Sequence, residues 1–361
     1  MLSIHRYRIP FYTPFETATV SWTHREGLIL RFRGGTHISI AEAAPLPGFS
    51  VESLQESAVA LEDSREALTR LLTRPEKAEY FCSELNRLSL PPSAAFAISV
   101  LGASILSKKN RKPLSELFGR TPAREVKVNA LIPISDRKTA DEQLRYNSLQ
   151  GATVVKLKVG SEPGALPEWI ENWNRKFPGI QYRIDPNRSW PSEKLAEYLE
   201  LFHGLPVEYI EEPCRFTSLH EFSRAASSSP IPLAADESIH SLESLKELLQ
   251  NPSIKYLILK PMRIGNIFNL FETVQAHRTP DKEIIVTSML ESAVGRSILV
   301  QMAAMAGSPN RSHGLGTGGF FSKDLAESLP ESVTLETKDS IGWQADHMEI
   351  IETRLTPVKA V

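Results

Sequence analysis

Lys158, Asp185, Glu211, Asp236 and Lys260 follow one another at gaps of about 27, 26, 25 and 24 residues, each at or beside the end of a short apolar run. Three carboxylates brought together suit a hard divalent cation, which prefers oxygen ligands. Two lysines flanking such a group suit removal of a proton and stabilisation of the negative charge left behind. Residues this far apart meet only if the chain returns to one place at a fixed interval. An interval of about 25 residues is that of one strand–loop–helix–loop unit of a parallel α/β barrel, whose strand ends share a single rim.

Strand alternation sharpens the set. In Val154-Val155-Lys156-Leu157-Lys158-Val159-Gly160 the two lysines share one face and the aliphatic residues take the other, so both ammonium groups are expected inside the barrel. An ammonium buried without a partner is costly, so such lysines carry chemistry or lie beside carboxylates; the competing reading is an edge strand with a solvated basic face. Adjacent acids on a strand point to opposite sides, so only one of Glu211 and Glu212, and one of Asp236 and Glu237, faces the metal. Any one of these acids alone, Asp185 before Pro186-Asn187 included, reads as a helix cap or Asx turn; three in register at strand ends do not. Lys260 is expected opposite Lys158. The glycine-rich Gly314-Leu315-Gly316-Thr317 lacks the Gly-Lys-Ser/Thr ending of a phosphate loop and reads either as a flexible turn or as a backbone cradle for a carboxylate. Ser288-Met289-Leu290-Glu291-Ser292 is placed on the same rim. No His-x-His follows a strand, against a zinc hydrolase, and Cys214 has no histidine to activate it.

The elements that must position these residues follow. Residues 1–50 alternate apolar and polar residues at Ile4–Ile9, Leu28–Phe32 and Thr36–Ile40, predicting a small antiparallel sheet. Helices are expected at Val51–Ala60 with Ser50 as N-cap, at Lys77–Leu88, and at Pro92–Lys108, the last apolar all round and therefore buried. From Val126 onward strands alternate with helices: Val126–Ile132, Val154–Val159, Tyr182–Ile184, Val207–Ile210, Leu233–Ala235, Tyr256–Leu259 and Ile284–Val286, separated by helical patterns such as Ser192–Phe202, Ser218–Ser227, Ser241–Leu249 and Asn266–Ala276. The eighth strand is placed at Ser312–Gly316. Ser332–Glu336 and Met348–Thr353 are read as strands returning to the first domain. The fold class is thus α/β, a modified TIM barrel over residues 121–325, with an α+β capping domain built from 1–120 and the tail 326–361. A chain of 361 residues has room for a barrel of roughly 200–250 residues and a smaller domain of about 100.

A net charge of −2 gives no reason to expect nucleic acid or an anionic membrane as partner. No signal peptide or membrane span is evident, and two cysteines, Cys82 and Cys214, make no disulfide framework, so a cytoplasmic protein is expected. Oligomeric state is left open.

The motifs Lys156-Leu157-Lys158, Asp185 with Asn187, Ile210-Glu211-Glu212-Pro213, Asp236-Glu237-Ser238 and Lys260-Pro261 resemble those of the enolase superfamily, in its muconate-cycloisomerase-like branch. Lys112–Gly119 looks like that family's junction between cap and barrel. Within the branch the chain looks most like the o-succinylbenzoate synthase family, through Ala43–Ser50, Arg183, Glu211–Cys214, Ser288–Ser292 with Gly295, and Gly314–Thr317, where Gly316 replaces an acid of some relatives. The resemblance implies Mg²⁺, with Mn²⁺ able to substitute, held by Asp185, Glu211 and Asp236. It implies Lys158 as general base, with Lys156 beside it lowering its pKa, and Lys260 as the opposing cation. Lys156, Arg183, Asn187 and Glu237 would support the site, and Ser288, Glu291, Ser292, Gly314, Gly316 and Thr317 would touch substrate. Cap residues around Thr13–Thr19 and Pro45–Ser50 would close over it. The implied reaction is a dehydration of a small carboxylate through an enediolate. Racemisation of an N-acylamino acid or dipeptide uses the same machinery, and a Schiff-base aldolase or a ligand-binding barrel stands further off.

Overall fold

Alternation at the N-terminus produces strands β1 (Leu2–Glu16), β2 (Ser21–Gly34) and β3 (His37–Ala43), paired antiparallel in the computed structural model, which describes all residues except 17–20, 36, 328–332 and 359–361. Thr36, and residues 17–19 of the expected cap segment Thr13–Thr19, lie outside the described residues. Helices Leu54–Asp63, Arg65–Thr73 and Pro92–Asn110 pack on this sheet, and Ala78–Arg87 packs on Pro92–Asn110. The first helix begins later than expected: Ser53, not Ser50, caps it in a reciprocal box with Glu56, while the Ser50 hydroxyl accepts the Leu46 N–H. Pro92–Asn110 is buried on nearly every side, as its uniform apolarity predicts. Gly102 there lets the Phe81 ring lie against the backbone; a Cβ would sit 2.2 Å from it.

The barrel strands follow in order. The expected run Val126–Ile132 is two strands, β4 (Glu125–Lys127) and β5 (Ala130–Pro133), because the chain turns at Val128-Asn129 to bond His313. Then come β6 (Val154–Lys158), β7 (Gln181–Asp185), β8 (Val207–Glu211), β9 (Leu233–Ala235), β10 (Tyr256–Leu259) and β11 (Glu283–Val286). β5 to β11 form one parallel seven-stranded sheet in sequence order. Its closure is made by isolated bridges, Val128 to His313 and Thr287 to Gly314, so the eighth stave, placed at Ser312–Gly316, is present as two bridging residues instead of a strand. Ser218, Ser241 and Asn266 cap the helices Leu219–Ser228, Leu242–Gln250 and Ile267–His277; the pattern Ser192–Phe202 is a 3₁₀ turn followed by the short helix Leu195–Glu200.

Two corrections concern the tail. β12 (Thr334–Glu336) pairs with β4 at the barrel, not with the cap sheet. The strand that does return to the cap is β13 (Leu355–Pro357), against β1; Met348–Thr353, expected as that strand, is irregular and 3₁₀ backbone. Among the described residues no helix is long and apolar enough to cross a membrane.

Candidate active site

Lys158, Asp185 and Glu211 are the last residues of β6, β7 and β8, and Asp236 and Lys260 directly follow β9 and β10. Parallel register puts Lys158 beside Asp185 and Lys156 beside Arg183. The inward face is confirmed by what shares it: Tyr209, Ala234, Tyr256, Ile258 and Ile285 form a separate apolar cluster below the rim, while Val155 and Leu157 belong to the main core.

At the rim, Lys156 Nζ lies 2.8 Å from Asp185 Oδ2 and 2.5 Å from Glu211 Oε2. Lys260 Nζ donates to both oxygens of Asp236, at 2.5 and 2.7 Å. Lys158 Nζ donates to Asn187 Oδ1 at 2.9 Å and stands 3.6 Å from Asp185 Oδ2. Asp185, Glu211 and Asp236 are each 2% exposed. Burial alone would lower Lys156, but Asp185, Glu211 and Asp236 outweigh it and hold its ammonium well above the ordinary lysine range. Burial would likewise raise Asp185, yet Lys156 and Lys158 keep its carboxyl below the usual range. Glu211 goes the other way, to about 7, because burial together with the facing Asp185 and Asp236 overcomes Lys156. Glu237 is also raised to about 7, by burial and by Asp236. It lies 3.6 Å from Arg188 Nε.

One pocket opens on this rim. Lys156, Lys158, Asp185, Asn187, Asp236 and Lys260 form its polar side, and Ser288, Gly314, Gly316 and Thr317 stand on its lip. Phe15, Trp22, Leu46 and Phe49 of the cap and Met289 and Leu290 of the barrel give it apolar walls. Glu211 lies beneath, behind Lys156. Glu291 and Ser292 do not line it: Glu291 accepts the Ser288 hydroxyl and the Met289 N–H, both at 2.6 Å, and Ser292 is tied to Glu42. Arg183 also points elsewhere, to Glu208, Asn129 and the Ser312 carbonyl below the rim. Trp22, Asn129, Leu131 and Thr287 complete the lining and went unremarked in sequence; only Thr287 carried a signal, as the residue after a strand end.

Among the described residues no three His, Cys, Asp or Glu side chains stand as a ready metal cage, since lysine nitrogens hold the carboxylate oxygens. The donor set nevertheless fits a hard cation: three buried carboxylates on consecutive strands, with no sulfur or imidazole among them.

Residues 138–334 match the family model described as enolase C-terminal domain-like. The chain belongs to the enolase superfamily. Residues 1–105 of this superfamily member match a second model, the MenC N-terminal domain. An o-succinylbenzoate synthase of Aliivibrio salmonicida is 26% identical over 91% of this chain and 93% of its own length. An L-amino acid-D/L-Glu epimerase of Sulfurimonas denitrificans is 21% identical over 81% and 84%. In fold, the chain is similar to a dipeptide epimerase of Enterococcus faecalis solved with Mg and L-Leu-L-Tyr, at TM-score 0.82 and 16% identity, covering 95% of this chain and 98% of that one.

Proposed function

We propose that this chain dehydrates 2-succinyl-6-hydroxy-2,4-cyclohexadiene-1-carboxylate to 2-succinylbenzoate, the o-succinylbenzoate synthase step of menaquinone biosynthesis, in the cytoplasm. The reading divides the chain into a cap of residues 1–120, which β13 of the tail rejoins, and a catalytic barrel of 121–325, against which β12 of the tail lies. Asp185, Glu211 and Asp236 would hold Mg²⁺, which when bound supplies positive charge to the substrate carboxylate and so acidifies the neighbouring C–H. Lys158, in its neutral form, takes that proton. Lys260, as ammonium, stabilises the resulting anion from the opposite side, four staves round the barrel. Loss of the β-hydroxyl, protonated by Lys158, releases water and leaves the aromatic ring.

The observation that carries this reading is the charge of the pocket. Three lysines line it, and among the described residues its only carboxylates, Asp185 and Asp236, are the two assigned to the metal. Such a pocket receives a substrate bearing carboxylates, and it offers no free acid for the α-ammonium of a dipeptide. The epimerase reading keeps one support: two lysines on opposite faces serve a 1,1-proton transfer equally well. Ultraviolet detection of the aromatic product, beside solvent deuterium exchange at the α-carbon of N-acylamino acids and dipeptides, separates the two. Lys158→Ala and Lys260→Ala should each cut dehydration by roughly 10²–10⁴-fold while calorimetric Mg²⁺ binding survives. Near-normal turnover by either variant overturns the assignments.

A further inference from the structure

Arg25 lies on β2, outside the pocket lining, 3% exposed, and all of its hydrogen bonds end on main-chain carbonyls. Nε donates to Leu290 O at 3.1 Å and Nη2 reaches Met289 O at 3.4 Å, both on the loop after β11. Nη1 donates to Pro45 O at 2.9 Å and Nη2 to Ala44 O, both on the cap segment after β3. The remaining bond goes to Glu26 O at 2.8 Å. A guanidinium has five N–H groups in a rigid fork, so this one is fully used. The two segments it joins each carry part of the pocket lining: Leu46 and Phe49 on the cap, Met289 and Leu290 on the barrel.

Leu290 has φ +63°, a left-handed conformation that a residue with a Cβ adopts only when its surroundings impose it. Inside the loop, the Leu290 N–H donates to Ser288 Oγ at 3.0 Å, and the Leu290 carbonyl is turned to Arg25. We propose that Arg25 is a positioning residue that sets the shape, and with it the substrate selectivity, of the pocket: it holds Leu290 left-handed and fixes the distance between the cap wall and the barrel wall. This rests on the reading that the carboxylate substrate binds in that pocket. Lysine is a poor substitute, since one ammonium has three donors and no fork.

The test uses Arg25→Met and Arg25→Lys in the full chain. Amide hydrogen exchange across residues 288–292 should speed up by roughly tenfold or more in Arg25→Met, with the helix Pro92–Asn110 unchanged and Arg25→Lys in between. With the cyclohexadiene carboxylate and saturating Mg²⁺, KM should rise about tenfold or more while kcat stays within about threefold, the mark of lost positioning and not of lost chemistry. Glycine is at ease in the left-handed region, so in a Leu290→Gly background the same Arg25→Met change should cost at least about threefold less in KM. Unchanged exchange and KM in a folded Arg25→Met protein, a loss confined to kcat, or equal costs in both backgrounds would each overturn the proposal. Should Arg25→Met fail to fold, Arg25→Lys bears the same comparisons. A wild-type protein inert toward this substrate would defeat the proposed reaction, and the exchange measurement would still decide on Arg25.

Discussion

Glu212 turns away from the pocket, and its bonds decide where Asp236 can stand. Its carboxylate accepts the Asp236 N–H and the Ser238 N–H, each at 2.9 Å, the Ser238 hydroxyl at 2.7 Å, and Arg188. Its own backbone is strained, at φ +24°, and among the described residues four of the six non-glycine positions with positive φ (Asn187, Arg188, Glu212 and Leu290) surround this one site. Strain persists where neighbours over-determine the geometry, as these bonds do. Glu212→Ala should therefore weaken Mg²⁺ binding by roughly 10–100-fold, read by calorimetry, without removing any proposed ligand. Equal affinity in the two proteins would show that Asp236 is held by other means. At this scale the sequence was most readable. Parity alone let only one of Glu211 and Glu212 face the metal and paired Lys156 with Lys158, because the side-chain period of a strand is fixed by its backbone. What parity could not show is that Lys156 sits between Asp185 and Glu211, since the reach of a lysine side chain is not encoded in spacing.

Among the elements, the eighth stave depends on one imidazole. His313 is buried, its Nδ1 accepts the Val286 N–H at 3.0 Å, and its backbone bridges Val128. Burial, with Arg183 nearby, lowers its pKa from 6.5 to about 3. Between those two values the unfolded chain takes up a proton that the folded one refuses. This contribution to stability is therefore complete above pH 6.5 and is lost as pH falls toward 3, at up to about 1.4 kcal/mol per pH unit. Urea midpoints at pH 7 and pH 4.5 should fall less in His313→Gln than in wild type; an equal fall would exclude His313 as the source. The repeated strands were legible because each is a short apolar run before an acid or lysine. The eighth was placed correctly and typed wrongly, since two bridging residues carry no periodicity. β4 and β5 read as one strand because the break at Asn129 is imposed by His313, more than 180 residues on. β13 was missed for a related reason: three residues, Leu355–Pro357, give too short a pattern to detect.

At the level of the molecule, the cap is fastened to the barrel by buried polar groups. Glu42, on β3, accepts the Ser292 N–H at 3.0 Å, the Gly295 N–H at 2.8 Å and the Tyr7 hydroxyl at 2.6 Å, so a cap-domain carboxylate closes the N-terminus of the barrel helix Ala293–Ala306. A negative group there also meets the positive end of the helix dipole. The two-part architecture was legible in the change from strands-then-helices to alternation, whereas Glu42 and Arg25 fall outside the three runs read as strands and carried no signal. Their barrel partners, Ser292 and Gly295 for Glu42 and Leu290 for Arg25, lie 250 to 265 residues away, beyond any local pattern. A ligand that binds only the folded state adds stability by mass action, about 2.7 kcal/mol at a hundred times its Kd. Titrating Mg²⁺ should raise the melting temperature of the whole chain in one transition and EDTA should reverse it. An absent shift in wild type, or the same shift in a protein carrying Asp185→Ala, Glu211→Ala and Asp236→Ala together, would refute the metal assignment.

The two-residue closure at His313 and Gly314 has a bearing on how such a protein changes over time. Gly314, Gly316 and Thr317 border the pocket from that seam, while the lysines and acids proposed to hold the proton and the metal stand at the ends of regular staves, β6 to β10, each locked by its neighbours' register. A seam with little ladder to preserve lets the lip change at Thr317 without shifting any stave by one position, whereas Gly314 is fixed by Thr287, 2.8 Å from where a Cβ would stand. A change there would alter the lip of the pocket and leave the rim of lysines and acids in place.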